Sequence, residues 1–126
     1  MLAPDSRRTL IDQLRPPVGY RLDASVGTTF TLDLTAALVP PLAFASFAVR
    51  STTDPVSVLE AVRSCADRVD VFAQEGSVRA PSSYTALTAF LEPMLHEVQA
   101  PTGGLFHPKL WLLRFTADDE QDAYRL

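Results

Sequence analysis

The run Leu110-Trp111-Leu112-Leu113-Arg114-Phe115 constrains this chain more than any other segment. A strand with one solvated face alternates apolar and polar residues, whereas a strand covered on both faces reads as a continuous apolar run. The run predicts a core strand over residues 109–115. A strand of that kind needs layers on either side of its sheet. The rest of the chain supplies candidates for them, since short apolar strands alternate with segments of helical periodicity.

Residues 6–14 read as a short helix capped by Ser6, with Leu10, Ile11 and Leu14 as its apolar stripe and Pro16-Pro17 as its stop. A first strand is expected over residues 20–29. There Tyr20, Leu22, Ala24 and Val26 alternate against Arg21, Asp23 and Ser25, and Gly27-Thr28-Thr29 closes the strand. Residues 32–47 read as helix broken near Pro40-Pro41. Asp54-Pro55 opens a further helix, with a capping carboxylate and a proline in the first turn. Its apolar positions are Val58, Leu59, Val62, Cys65 and Ala66.

A second strand is expected over residues 69–74, turned by Glu75-Gly76. Ser82 or Ser83 caps a helix with Tyr84, Leu87, Phe90 and Leu91 inward, ending at Pro93. Residues 94–99 fit either a helical turn or a third strand. Asp118-Asp119-Glu120 reads as a solvated hairpin turn, and residues 123–126 as the start of another strand. The expected fold is therefore α/β: a layered sheet of largely parallel strands with helices on both faces. The strand pattern still running at Tyr124-Arg125-Leu126 gives the expectation that this is an incomplete piece of a longer architecture.

Composition narrows the function classes. With 126 residues, 47% of them apolar and 21% charged, the chain is globular and of one-domain size. A net charge of −4 argues against a broad basic surface for non-specific DNA binding. One cysteine and two histidines leave no disulfide framework and no cysteine-based zinc site, so neither a metal nor another cofactor is expected. Residues 34–49 are apolar and uncharged but shorter than the ~20 residues of a membrane span. The first fifteen residues lack the apolar segment of a signal peptide. A cytoplasmic location without a membrane span is the expectation.

The chemistry concentrates at the head of the apolar run, in Gly103-Gly104-Leu105-Phe106-His107-Pro108-Lys109. Lys109 is the single lysine, and the other ten basic residues are arginine. Lysine is a compact point donor where arginine is a broad fork. In an extended segment residues two apart point the same way, which projects His107 and Lys109 together. A neutral imidazole attacks phosphorus or carries a proton, and an ammonium neutralises phosphate oxygens as charge shifts. Gly104 lets the backbone approach a ligand, and Thr28 offers a hydroxyl to a phosphate. Gln74-Glu75, at a strand end, is placed to line a pocket, with a solvated turn as the plainer role of Glu75. Trp111 reads as core and His96 as a surface or sheet-edge residue. The plain alternatives are a strand-start histidine held by a backbone hydrogen bond and a solvated lysine.

The segment Phe106-His107-Pro108-Lys109-Leu110-Trp111-Leu112-Leu113-Arg114-Phe115 resembles the His-x-Lys segment of the phospholipase D-like superfamily. Tyr20-Arg21-Leu22-Asp23 through Val26-Gly27-Thr28-Thr29-Phe30 looks like the first strand of its bacterial nuclease-type members, and Val71-Phe72-Ala73-Gln74-Glu75-Gly76 like their second. The likeness spans residues 17–126, with residues 1–16 as an N-terminal helix and linker. It implies that the chain is the N-terminal half of such a domain. His107 then matches the histidine that forms a phosphohistidine or protonates the leaving group, and Lys109 the phosphate-binding lysine. The family motif continues with an aspartate five residues after the lysine, where this chain has Arg114. A family site also needs two His-x-Lys copies, so the implied partner is a second half, in tandem or from a homodimer.

Two functions follow as expectations. One is a hydrolase, a phosphodiesterase acting on nucleic acid through a phosphohistidine, with half its site in this chain. The other is a non-catalytic phospholipase D-like module for interaction or dimerisation. Arg114 in place of the aspartate and the acidic charge favour the second. The choice among DNA, RNA and lipid as substrate stays open at this level.

Overall fold

A computed structural model describes residues 10–37, 39–48, 54–80 and 89–126. Five strands form one sheet: β1 (Arg21–Thr29), β3 (Val69–Gln74), β5 (Leu95–Val98), β6 (Leu110–Thr116) and β7 (Ala123–Arg125), in the order β5-β3-β1-β6-β7. β3 runs parallel to β1 and β5 parallel to β3, whereas β6 is antiparallel to both β1 and β7. The sheet is therefore mostly parallel, with β6 the one reversed strand. A second, two-stranded parallel pair joins β2 (Leu32–Asp33) to β4 (Val78–Arg79) just beyond the ends of β1 and β3.

Helices α1 (Leu10–Leu14), α2 (Leu34–Ala37), α3 (Val39–Ala48) and α4 (Pro55–Ala66) complete the order of regular elements, with one turn of 3-10 helix at Glu92–Met94. α4 starts as expected. The Asp54 carboxylate accepts the Val56 N–H at 3.2 Å and the Ser57 N–H at 3.4 Å, and Pro55 occupies the first turn. The Ser57 hydroxyl adds a bond of 2.8 Å. These bonds, led by that from Ser57, hold the Asp54 carboxyl below its ordinary value of 3.8. A carboxylate whose folded value is depressed stabilises the fold above its unfolded value, and that contribution is lost as pH falls through the folded value. Asp54→Ala is thus expected to lower the melting temperature by a constant amount at neutral pH, with the gap to the parent closing below pH 3.8. Thermal melts across pH 2–7 check this, and a gap independent of pH would count against the cap.

The core lies on one face of the sheet. Leu14, Ala37, Phe44, Val62, Cys65, Ala66, Leu91 and Met94 meet Val69, Val71, Leu113 and Phe115 there. On the other face, Leu110, Leu112 and Tyr124 are exposed, and Val26 and Phe72 are half-buried. The expectation of helices on both faces is corrected to this extent: α1, α3 and α4, which have residues in the core, all lie on the same side. Leu110 to Phe115 reads as doubly covered because its outer-face residues are also leucine, not because described helices cover both sides.

Three local readings change. Buried residues of β1 are Leu22, Ser25 and Gly27, not an unbroken even-numbered set. A bulge shifts the register between Leu22 and Ala24, so Asp23 and Ala24 together oppose Arg114, and the inward side passes from even to odd numbers. Ala24 and Val26 are turned to the outer face. β1 ends at Thr29, as expected.

Of the helical stretch expected over residues 32–47, broken near Pro40-Pro41, helix is described over Leu34–Ala37 and Val39–Ala48. Leu32–Asp33 is extended and Asp33 caps α2, accepting the Thr35 N–H at 2.7 Å. Pro40-Pro41 lies within the described span of α3. Finally, α4 buries only Val62, Cys65 and Ala66 near its C-terminal end, while Val58 and Leu59 stay about 40% exposed. Residues 94–99 resolve into the end of the 3-10 turn and strand β5. The Ser6 cap and the helix start at Ser82 or Ser83 lie outside the described residues, as do Tyr84 and Leu87.

The acidic turn between β6 and β7 is tied down rather than freely solvated. Tyr20 donates its hydroxyl to Glu120 at 2.7 Å, and Arg21 pairs with Asp118 at 2.8 Å. Arg125 donates to the Gln13 and Arg15 carbonyls at the end of α1. Its guanidinium also stands 5.3 Å from the centroid of the Phe115 ring.

Candidate functional site

Because β6 is antiparallel to β1, its first residue stands beside the last residues of β1, with Leu110 opposite Thr28. The segment that enters β6 therefore crosses the C-terminal ends of the parallel strands β1 and β3. In α/β sheets this is the edge where ligands gather. His107 and Lys109 lie in that segment. Both are exposed and both precede β6, so they belong to an irregular lead-in rather than to the strand expected over 109–115.

Gln74, at the end of β3, organises this edge. Its backbone N–H donates to the Phe30 carbonyl at 3.3 Å, while its side-chain oxygen accepts the Phe106 N–H at 2.7 Å. One residue thereby joins the exit of β1 to the lead-in of β6. The His107 ring lies against Phe30, with ring centroids 5.2 Å apart at 39°. Gln74 was visible in the sequence as a strand-end pocket residue, but its bridging role depends on which strands are neighbours.

Gln74→Ala removes the partner of a part-buried N–H, a loss of about 1 kcal/mol. Faster hydrogen exchange confined to the Phe106–Lys109 segment is expected. Unchanged exchange there would show that the bridge does not hold it.

Lys109 lines an open cleft of about 650 Å³ with Thr28, Thr29, Leu110, Trp111 and Leu126. Its ammonium is the cation among these side chains, and it makes no ion pair with a described residue. Thr28 Oγ1 accepts the Leu110 N–H at 3.2 Å, which leaves its own proton free to donate. Thr29 donates to the Thr31 carbonyl at 3.0 Å. Consecutive residues at the exit of β1 thus supply the neighbours of both candidates: Thr28 and Thr29 for Lys109, Phe30 for His107.

The remaining candidates are placed differently. Gly103 has φ +80°, a backbone state that suits glycine, and Gly104 follows it in the same turn. The Gly104 N–H donates to the Pro101 carbonyl at 2.7 Å, so it closes the turn instead of facing a ligand. Trp111 is half-buried against the core and also forms a wall of the cleft. One face of its six-membered ring lies over Gly27, so close that a Cβ there would stand 2.7 Å from Cη2.

Arg114 points to the outer face and forms an ion pair with Asp23 through two guanidinium nitrogens. The hydrogen bond to Asp23, and then its charge, raise Arg114 above the ordinary guanidinium value. His96 sits on the edge strand β5, 2.7 Å from Asp70 and stacked on Phe72. Cys65 is buried, and desolvation raises its thiol, which makes it a poor nucleophile.

Among the described residues no three histidine, cysteine or acidic side chains gather as metal ligands, and no helix is long and apolar enough to cross a membrane. No protein family, curated protein or solved structure matches the chain.

Proposed function

We propose that this chain carries one half of a metal-independent phosphodiesterase site of the phospholipase D-like type, acting on nucleic acid. The observation that carries the reading is that His107 and Lys109 are both exposed on the segment crossing the C-terminal edge of parallel strands, Lys109 in a cleft with Thr28 and Thr29, and His107 against Phe30 outside the lining of that cleft. Lys109 binds a non-bridging phosphate oxygen and offsets the charge that grows there in the transition state. One imidazole of a paired site attacks phosphorus, and the bond from phosphorus to the leaving oxygen breaks as the second imidazole donates its proton. The second imidazole then deprotonates water, which cleaves the P–N bond, releases the phosphomonoester and restores the first histidine. His107 takes one of these two roles, and a second His-x-Lys half, in tandem or from a second copy, takes the other.

The test is cleavage of oligonucleotides by the protein in the presence of EDTA, with His107→Ala as the comparison. Cleavage that His107→Ala leaves undiminished would refute the assignment. A second reading, a non-catalytic interaction module, draws support from the Arg114–Asp23 pair where the family carries an aspartate, and from the exposed Leu110, Leu112 and Tyr124 on the outer face. Under that reading the parent protein cleaves nothing, and His107→Ala leaves self-association unchanged.

A further inference from the structure

The cleft that holds Lys109 contains more than a phosphate grip. Its lining combines one ammonium, the Thr28 hydroxyl, the indole of Trp111 and the apolar side chains of Leu110 and Leu126. The indole is held in place from behind, since one face of its six-membered ring lies over Gly27 with no side chain between them. A flat ring fixed beside a single cation matches a phosphodiester whose flanking group is itself flat and apolar.

Charge narrows this further. A protein that tracks a polynucleotide backbone uses a row of cations, one for each phosphate neutralised. Here four described arginines are engaged elsewhere, while Arg79 stands exposed on β4, outside the lining of the cleft. Arg21 binds Asp118, Arg114 binds Asp23, Arg68 donates to the Leu22 carbonyl and Arg125 to carbonyls of α1 and the residue after it. The chain as a whole carries −4. Within the cleft Lys109 is the one cation and meets one phosphate, so affinity there beyond that single contact must come from the ring.

We infer that the cleft binds unpaired nucleotides: Lys109 takes one phosphodiester and Trp111 stacks the adjacent base, so the substrate is single-stranded. A base inside a duplex has both faces covered by its neighbours and cannot reach the indole. This inference rests on the phosphodiesterase reading and adds the form of the nucleic acid to it.

Trp111 is the only tryptophan, so its fluorescence reports stacking directly. The probes are a twelve-nucleotide oligodeoxythymidine, an abasic oligonucleotide of equal length, the corresponding duplex and phosphatidylcholine vesicles. The expected result is quenching of Trp111 by the single strand, with affinity about tenfold or more above that for the abasic strand and the duplex. Trp111→Leu, which has no tryptophan and is followed by the fluorescence anisotropy of a dye-labelled strand, should erase that preference. The slope of log affinity against log salt should be about −0.7, as for one neutralised phosphate on a single strand.

Equal affinity for base-bearing and abasic strands, tight duplex binding, a slope several times steeper, or vesicle binding in place of oligonucleotide binding would each overturn the inference. Failure here with His107-dependent cleavage retained removes only the single-strand specificity. Stacking without any His107-dependent cleavage removes the enzymatic reading and leaves the subsite.

Discussion

Replacing His107 with alanine is expected to lower phosphodiester cleavage by about 10³-fold or more, the scale on which nucleophiles and proton donors act. The structure gives a reason to read such a loss as chemical. His107 is exposed, and its described neighbour is the Phe30 ring, so its removal opens no core cavity. Melting temperature should stay close to that of the parent protein while activity disappears. Added imidazole should restore part of the rate, because a small free base can enter the space left by the side chain. If His107 is the attacking residue, an acid-labile phosphoenzyme accumulates in the parent and is absent from the variant.

Lys109→Ala should also lose activity, by about 10²-fold or more. Lys109→Arg should restore it only in part, since a planar fork does not replace a point donor. Full activity in His107→Ala at an unchanged melting temperature would show that the His-x-Lys pair is ornamental in this chain.

Gly27→Ala is expected to destabilise the fold by about 1–3 kcal/mol, and two opposing effects decide its sign. Removing a glycine from a strand restricts the unfolded chain and by itself stabilises by about 0.4–1 kcal/mol. Against this, the new methyl group would stand 2.7–2.9 Å from three carbons of the Trp111 ring, inside van der Waals contact. Gly27 and Trp111 are directly opposite each other across the β1–β6 pair, so neither backbone can move away without loosening the ladder.

The indole must therefore swing outward, towards the Lys109 cleft. Fluorescence of the single tryptophan should shift to the red, and urea unfolding should move to lower denaturant. The double variant Gly27→Ala/Trp111→Leu should recover at least 1 kcal/mol relative to additivity, as residues in contact do. A stabilised Gly27→Ala with unshifted fluorescence would mean that the ring does not lie where the structure places it.

How far the sequence could be read depends on the range of the interactions involved. The Asp54-Pro55 start of α4, strand β3 over Val69–Gln74 and the entry into β6 were legible because each is decided by a few adjacent residues: a capping carboxylate, a β-branched run, an apolar run after a proline. The bulge in β1 was not legible. It depends on matching Asp23 and Ala24 to the single Arg114 more than ninety residues later, and nothing local announces it. Similarly, Val58 and Leu59 have correct helical spacing, yet spacing does not say how much of a helix the sheet can cover.

The same division holds at the site. By itself the sequence singled out His107 and Lys109 as the candidates, since a solitary lysine two positions from a histidine is a local fact. Composition and periodicity also settled that the chain forms an α/β sheet. Only the tertiary structure decided that the His-x-Lys lead-in crosses the ends of β1 and β3, that Gln74 ties those ends together, and that Gly104 closes a turn. It alone put Trp111 against Gly27 and beside Lys109. The physical reason is strand order: placing β6 antiparallel to β1 is a choice among long-range pairings, made by the packing of the whole core, and it brings residues eighty apart into one cleft.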